Sequence, residues 1–376
     1  MDVEQIRASF PVFERYTYLN HSSTAPLSVH VQRAVAESAA LQADGSEGSA
    51  RLKERIDPLK TKIARLINAS PEEIALTRNT TEGLNIVASG LLWNEGENVV
   101  TDDMEFPANV YPWLNQESRY GVRTRLVPAR RGKVLVDDLM AACDARTRLI
   151  TVSFVQFSNG YRVDLERLGA ACRERGISLC VDAIQGLGPV DLDVRRCHID
   201  FLAAGAHKWM LGPMGIGFLY IRRDLQAHLW PAYVSHFGVF QSPESMTRYE
   251  LTFRHTAEKF EGGLPNYAGI FGFDAGLSLL YDVGLNAIRD RVMMLTDHLC
   301  EHVSRRGCRV LSHRGADERS GTVAFVSERE PAKDTAARLA DAGVVVSLRE
   351  GAVRVAPHFY NTVEDIDRLL AALPGR

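Results

Sequence analysis

The 376-residue sequence is short of most features that mark a specialised chain. Its six cysteines (Cys143, Cys172, Cys180, Cys197, Cys300 and Cys308) form no CxxC pair and no metal-ligand spacing. Neither a disulfide framework nor a metal site is therefore expected; small core thiols in a reducing cytoplasm are. No apolar run is long enough to span a bilayer. Residues 1–16 carry acids early and lack the uninterrupted apolar core of a secretory signal. A net charge of −3, with no basic tail and no acidic block, gives no reason to expect nucleic acid or a membrane as partner. GxGxxG is also missing. Residues 212–217 read GPMGIG and precede a strand-like run, which disfavours a dinucleotide-dependent oxidoreductase.

What is there has the composition of an ordinary globular enzyme, 45% hydrophobic and 24% charged. Two domains are the natural expectation for this length. A short helix is expected within 2–10, ended by Pro11. Strand-like runs at 74–77, 99–101, 122–127, 149–154, 178–181, 201–204 and 218–221 alternate with helical spacing at 27–43, 81–92 and 165–175. A further helix is expected at 50–67, after a Gly/Ser break at 45–49. Such alternation predicts an α/β fold with a mixed, mostly parallel sheet, and ligands at the carboxyl ends of its strands. Beyond about residue 282 the pattern changes to helix 285–305, strands 309–311, 322–326, 344–347 and 352–356, and helices 332–342 and 363–373, a smaller α+β unit.

The chemistry centres on Lys208. It lies between two strand-like runs, in a Gly/Pro-rich turn among apolar residues. Either it snorkels to solvent, or its ammonium is desolvated towards the neutral amine that forms a Schiff base with an aldehyde such as pyridoxal phosphate (PLP). The remaining demands of that cofactor have candidates. Thr80 and Thr81 stand where a strand turns into a helix and suit a phosphate, although the same pair suits a plain N-cap. Asp182 ends an apolar strand-like run and suits the pyridine nitrogen, with Gln185 three residues on. Phe106 offers a flat face for stacking, and Gln156 an amide for the phenolic oxygen. Arg354, flanked by apolar residues, is the better candidate for an α-carboxylate, with Arg349 nearby.

These residues carry a resemblance. Tyr18-Leu19-Asn20-His21, Asn79-Thr80-Thr81-Glu82-Gly83-Leu84-Asn85, Asp182-Ala183-Ile184-Gln185, His207-Lys208 with Gly212-Pro213, and Phe359-Tyr360-Asn361-Thr362 follow in order along almost the whole chain. The sequence resembles class V aminotransferases of PLP fold type I, on the branch with cysteine desulfurases and isopenicillin N epimerase. The resemblance implies a large PLP-binding domain over 16–282 and a small domain over 283–376 joined by the N-terminal segment 1–15. It implies Lys208 as the Schiff-base lysine, Asp182 on the pyridine nitrogen, Thr81 and His207 at the phosphate and Gln185 near the phenolic oxygen. It also implies Arg354 on the substrate carboxylate, and a homodimer with shared active sites. His21, Arg349 and His358 are further residues expected to meet the amino-acid substrate.

Departures from that family shape the expected reaction. Residues 344–354 hold no cysteine where desulfurases carry a nucleophilic one. Phe106 replaces a histidine, Gln156 an asparagine, Leu264 a threonine that crosses from the partner subunit to the phosphate, and Gly205 a frequent serine. The expectation is a β-lyase that releases its leaving group directly, with an aminotransferase as the alternative and an epimerase third. A PLP-binding regulator without turnover is disfavoured, because no spare DNA-binding domain or basic patch is present.

Overall fold

The computed structural model describes residues 2–240, 244–245 and 247–374. Its strands, in chain order, are β1 (Thr17–Tyr18), β2 (Ile74–Thr77), β3 (Asn98–Asp102), β4 (Arg123–Val127), β5 (Thr147–Ser153), β6 (Ser178–Asp182), β7 (Phe201–Gly205) and β8 (Gly217–Ile221). They continue with β9 (Cys308–Val310), β10 (Val323–Ser327), β11 (Val344–Val345), β12 (Ser347–Arg349) and β13 (Ala352–Val355). A seven-stranded sheet runs in the order β2-β8-β7-β6-β5-β3-β4, with only β8 antiparallel to its neighbours. Every residue of β3, β6 from Leu179 on, β7 and β8 is buried. Hence β7, β8 and Leu179–Val181 of β6 read as continuous apolar runs rather than alternating ones.

The parallel strands end together. Ser153 lies opposite Asp182 and Asp182 opposite Ala203, so Asp102, Ser153, Asp182 and Gly205 line one edge of the sheet. Between β5 and β3 the strand order reverses, the place where ligands collect in such sheets. The helix Thr80–Gly90 is drawn tightly onto this edge. A Cβ on Gly83 would lie 2.8 Å from that of Ala203, so only glycine allows the approach.

The smaller unit is an antiparallel sheet, β12-β13-β10-β9. Its core gathers Leu295, Leu299, Val323, Phe325, Leu339, Val353, Val355, Ile366 and Leu369, beside the helices Leu285–Arg305, Ala332–Asp341 and Val363–Ala372. β1 pairs in parallel with β11, and Leu19 joins the same core. The N-terminal segment thus docks on the small unit as far as Asn20, which bridges Ala356, beyond the expected end at residue 15. No single helix among the described residues is long and apolar enough to cross a membrane.

Two expectations change, and one long helix is new. The helix expected at 50–67 is two helices, Gly45–Lys53 and Ile56–Ile67, and the Gly/Ser run at 45–49 is itself helical. The break falls just before Pro58, which fits only the first turn of a helix. The strand expected at 344–347 divides at Val346: its first half pairs with β1 and its second begins a hairpin to β13. The apolar helix Tyr267–Val283 was not anticipated; buried on most sides, it shows little one-sided periodicity.

Candidate active site

Lys208 is fixed by a tightly closed loop between β7 and β8. The Ala206 N–H donates to Ile216 O at 3.0 Å, Gly212 N–H to Ala206 O at 3.0 Å and Leu211 N–H to Lys208 O at 3.2 Å. Leu211 adopts a left-handed φ of 58°, costly for a branched side chain and sustained by complete burial. The lysine itself is half-buried, with Nζ 5.9 Å from the Phe106 ring centroid. Burial pushes its ammonium down to about 8; Asp182 opposes that shift, and Arg354 and Arg349 add to it. A neutral amine is therefore accessible near neutral pH.

Asp182 ends β6 with its carboxyl buried. Its Oδ1 accepts the Ile184 N–H at 3.0 Å. Burial raises its pKa to about 7, the Ile184 bond opposes, and the nearby Glu105 carboxylate adds. Beside it lies a polar cluster that the sequence did not reveal as a unit. Glu105 accepts from the Ser153 N–H, from Ser153 Oγ at 2.6 Å, from Asn109 Nδ2 at 3.0 Å and from Gln156 Nε2 at 3.1 Å. The same Nε2 faces both oxygens of Asp102, at 3.3 and 3.4 Å. Burial and Glu105 hold the Asp102 carboxyl well above its ordinary range. Among the described residues Gln156 Oε1 is buried without a partner, so what this amide has left is an acceptor; its donor is taken by Glu105 and Asp102, and it does not meet the expectation of donating to a phenolic oxygen.

The helix Thr80–Gly90 opens beside Gly205. Asn79 caps it, accepting the Glu82 N–H at 2.9 Å, while its first N–H groups lack intrahelical partners. The two threonines separate. Thr80 is buried, its Oγ1 accepting the Gly205 N–H at 2.9 Å, whereas Thr81 is exposed. The hydroxyl of Thr80 is thus committed to the fold and that of Thr81 is not. His207 is half-buried, and burial followed by Lys208 lowers its pKa to about 4. Phe106 is 44% exposed and meets Phe157 edge-on, at 5.2 Å between centroids. Gln185 donates Nε2 to Ser22 O at 2.9 Å and accepts from Trp209 Nε1 at 3.2 Å, leaving one amide hydrogen for a ligand.

The opposite wall comes from the small unit. On β13, Val353 and Val355 face that unit's core, so Arg354 projects towards the large sheet. Strand alternation does not place it at a solvated face: it is 2% exposed. Its Nε donates to Ser347 Oγ at 3.1 Å, Nη1 to Phe157 O at 2.7 Å and Nη2 to Ser23 Oγ at 2.8 Å. Burial and then Arg349 lower its pKa to about 9. Arg349 donates Nη1 to Leu348 O at 2.8 Å and reaches Ser23 Oγ at 3.5 Å.

His21 and His358 do not meet the expectation of substrate contact. Both are completely buried. His21 places Nδ1 2.8 Å from Ala356 O and Nε2 2.7 Å from the Tyr360 hydroxyl. His358 places Nε2 3.1 Å from Trp209 O, and its Nδ1 accepts the Phe359 N–H at 2.9 Å. Neither ring keeps a free nitrogen. Together they tie the N-terminal segment and the chain after β13 to the residue next to Lys208.

A lysine of lowered pKa, a buried carboxyl at a strand end, a helix start with free donors, an open aromatic face and an arginine without a carboxylate partner fit the demands of PLP and an α-amino acid. The fold and this site define a PLP-dependent enzyme of fold type I. The sequence pattern of class V aminotransferases matches residues 17–369, and the chain belongs to that family. It is 32% identical over 395 residues to a probable cysteine desulfurase of Methanothermobacter thermautotrophicus, covering 98% of this chain and 96% of that protein. It is 30% identical over 364 residues to the uncharacterized aminotransferase YcbU of Bacillus subtilis, covering 96% and 95%. The cysteine desulfurase of Thermococcus onnurineus superposes with a TM-score of 0.90 at 27% identity, over 98% of this chain and 96% of that one.

Proposed function

We propose that this protein is a β-lyase acting on a cysteine-derived or similar α-amino acid and releasing the β-substituent directly, without a protein persulfide. The observation that carries this reading is the state of its thiols. Burial pushes all six above their ordinary value, Cys197 to about 11 and Cys172 to about 12. Thiols held protonated are poor nucleophiles, and none lies on the stretch 344–354 beside Arg354.

When bound, PLP supplies the electron sink that acidifies the Cα–H bond. The chain's residues do the rest. Three of the five N–H groups of Arg354 go to neutral oxygens, and the remaining two fit a bidentate α-carboxylate. Lys208, as a neutral amine, takes the Cα proton. Asp182 would hold a proton on the pyridine nitrogen, the remaining amide hydrogen of Gln185 would serve the phenolic oxygen, and Thr81, the helix start and His207 would hold the phosphate. Phe106 supplies a stacking face but no proton, which leaves Lys208 as the proton carrier of the site.

Aminotransfer is the second reading, favoured by the 30% identity to a protein named as an aminotransferase and compatible with the same lysine. A homodimer is also part of the proposal: Tyr233 and Leu264 expose large apolar side chains beside the Gly262–Gly263 turn, and Trp230 and Leu251 are exposed as well. A cytoplasmic setting is consistent with six free cysteines.

Borohydride reduction of the yellow holoprotein is expected to fix the cofactor on Lys208, and Lys208→Ala to abolish the fixation. A colourless protein unaffected by that substitution would sink the PLP reading. Amino acids are then assayed for pyruvate and sulfide without an added oxoacid. Product that forms only with an oxoacid replaces the lyase by the aminotransferase.

A further inference from the structure

The wall that grips the α-carboxylate holds one positive charge too many. Arg349 and Arg354 lie on the same face of the small sheet. Arg349 is opposite Ala352 in the hairpin, and Arg354 is two residues beyond Ala352 on the same strand. Both guanidinium groups reach the hydroxyl of Ser23, at 3.5 and 2.8 Å. Among the described residues neither has a carboxylate partner, since every acceptor they meet is a hydroxyl or a backbone carbonyl. An α-carboxylate satisfies one of the two.

Past Arg349 the site opens into a cavity of about 500 Å³, bordered by Met104, Ser158 and Asn159 on the large unit. Arg131, Arg309 and His313 line it as well, against a single acid, Glu350. Neither Arg131 nor Arg309 is in an ion pair among the described residues; both are exposed, so they add positive field at the rim of the cavity rather than a buried charge. The wall is also built in place. Arg131 takes a left-handed φ of 53° beside Gly132 in a two-residue turn closed by mutual Arg130–Lys133 hydrogen bonds. His313 Nε2 donates to its carbonyl at 2.9 Å. Arg349, half-buried and without a carboxylate among the described residues, is the cation here on which a ligand's counter-charge acts, and the exposed Arg131 and Arg309 add to the positive potential at its mouth.

We infer that the substrate of this site is an amino acid with a second anionic group on its side chain, held by Arg349 at the mouth of the basic cavity while Arg354 holds the α-carboxylate. The inference rests on the amino-acid reading above and narrows its substrate class. A neutral side chain leaves Arg349 uncompensated, whereas an anionic one brings it a charge-assisted hydrogen bond.

The test uses the holoprotein and matched pairs that differ only in charge, glutamate against glutamine and aspartate against asparagine, with alanine as reference. Binding is followed by the change in cofactor absorbance. The anionic member of at least one pair is expected to bind about tenfold more tightly, the worth of one charge pair across a binding surface. Arg349→Gln should erase most of that preference and Arg349→Lys should retain it. Arg309→Gln, further out, should reduce it by about threefold at most. Equal binding within both pairs overturns the inference while alanine still perturbs the spectrum. So does an Arg349→Gln protein that loses charged, neutral and reference ligands alike, which makes Arg349 part of the α-carboxylate grip. Failure of alanine itself to perturb the spectrum overturns the amino-acid reading and this inference with it.

Discussion

On the sheet side of the cleft stand three buried carboxyls, Asp102, Glu105 and Asp182, and none of them is in an ion pair among the described residues. On the other side stand two guanidinium groups, Arg349 and Arg354, with no carboxylate against them among the described residues. The protein brings opposite charges to one cleft yet keeps them apart, and burial drives each group towards neutrality: Asp182 up, Lys208 and Arg354 down. Two walls of opposite sign that do not neutralise one another suit a ligand of complementary polarity, protonated at a ring nitrogen at one end and carboxylate at the other.

The contrast breaks most visibly at Arg354. Arg354→Gln is expected to lower kcat/KM about 100-fold or more, since it removes one partner of a buried charge pair formed with the substrate. The loss should fall mainly on KM. Steady-state kinetics with the best substrate of the amino-acid panel checks it; an unchanged KM would move the carboxylate to another residue.

How much of this was legible in the sequence follows from how far apart the partners lie along the chain. Asp182 and Lys208 could be read because each breaks an apolar run at a strand end, a local pattern. Arg354 could be read as an intruder between valines, but its burial could not. That depends on Ser23 and Phe157, more than 190 residues away. Glu105 stood in plain view next to Phe106 without a role. Its meaning comes from β3, β5 and β6 lying side by side, so that Ser153, Gln156 and Asp182 surround it. His21 misled for the same reason: its sequence neighbourhood is polar, while its two nitrogens are consumed by residues from beyond position 355. The strand–helix alternation carried the large sheet. The Val344–Arg349 stretch misled because one short segment serves two sheets.

A smaller effect sharpens the contrast in the apoprotein. The Asp182 pKa is raised on folding from 3.8 to about 7. The folded form therefore binds more protons between those values, and apoprotein stability falls as pH rises from about 4 to 7. For Lys208 the folded value is depressed, from 10.5 to about 8. The unfolded form then binds more protons, and stability rises between about pH 8 and 10.5. Asp182→Asn should remove the Asp182 share of the acid-side decline and leave the alkaline rise. At pH 7.5 this catalytic-site substitution should stabilise the apoprotein by about 1–3 kcal/mol. Urea unfolding of the two apoproteins across pH checks the sign, and a destabilised Asn variant at neutral pH would show that Asp182 is compensated within the fold.

The smallest effect concerns the like-charged pair on the sheet side. Asp102 and Glu105 both lean on one Gln156 amide nitrogen, and among the described residues the Met104 N–H is the only other donor to Asp102, at 2.9 Å. Glu105 has three further donors and Asp102 does not, so burial and the neighbouring Glu105 carboxylate favour the protonated form of Asp102. Because the Asp102 pKa is raised on folding, its cost grows with pH. Asp102→Asn should therefore gain stability relative to the wild type on moving from pH 5 to pH 8, by about 1 kcal/mol. The readout is the pH dependence of the difference, so a uniform loss from altered packing does not mimic it. A difference independent of pH would mean that the Asp102 proton is held equally in the folded and unfolded chains, and the two walls would then differ less in charge than their residues suggest.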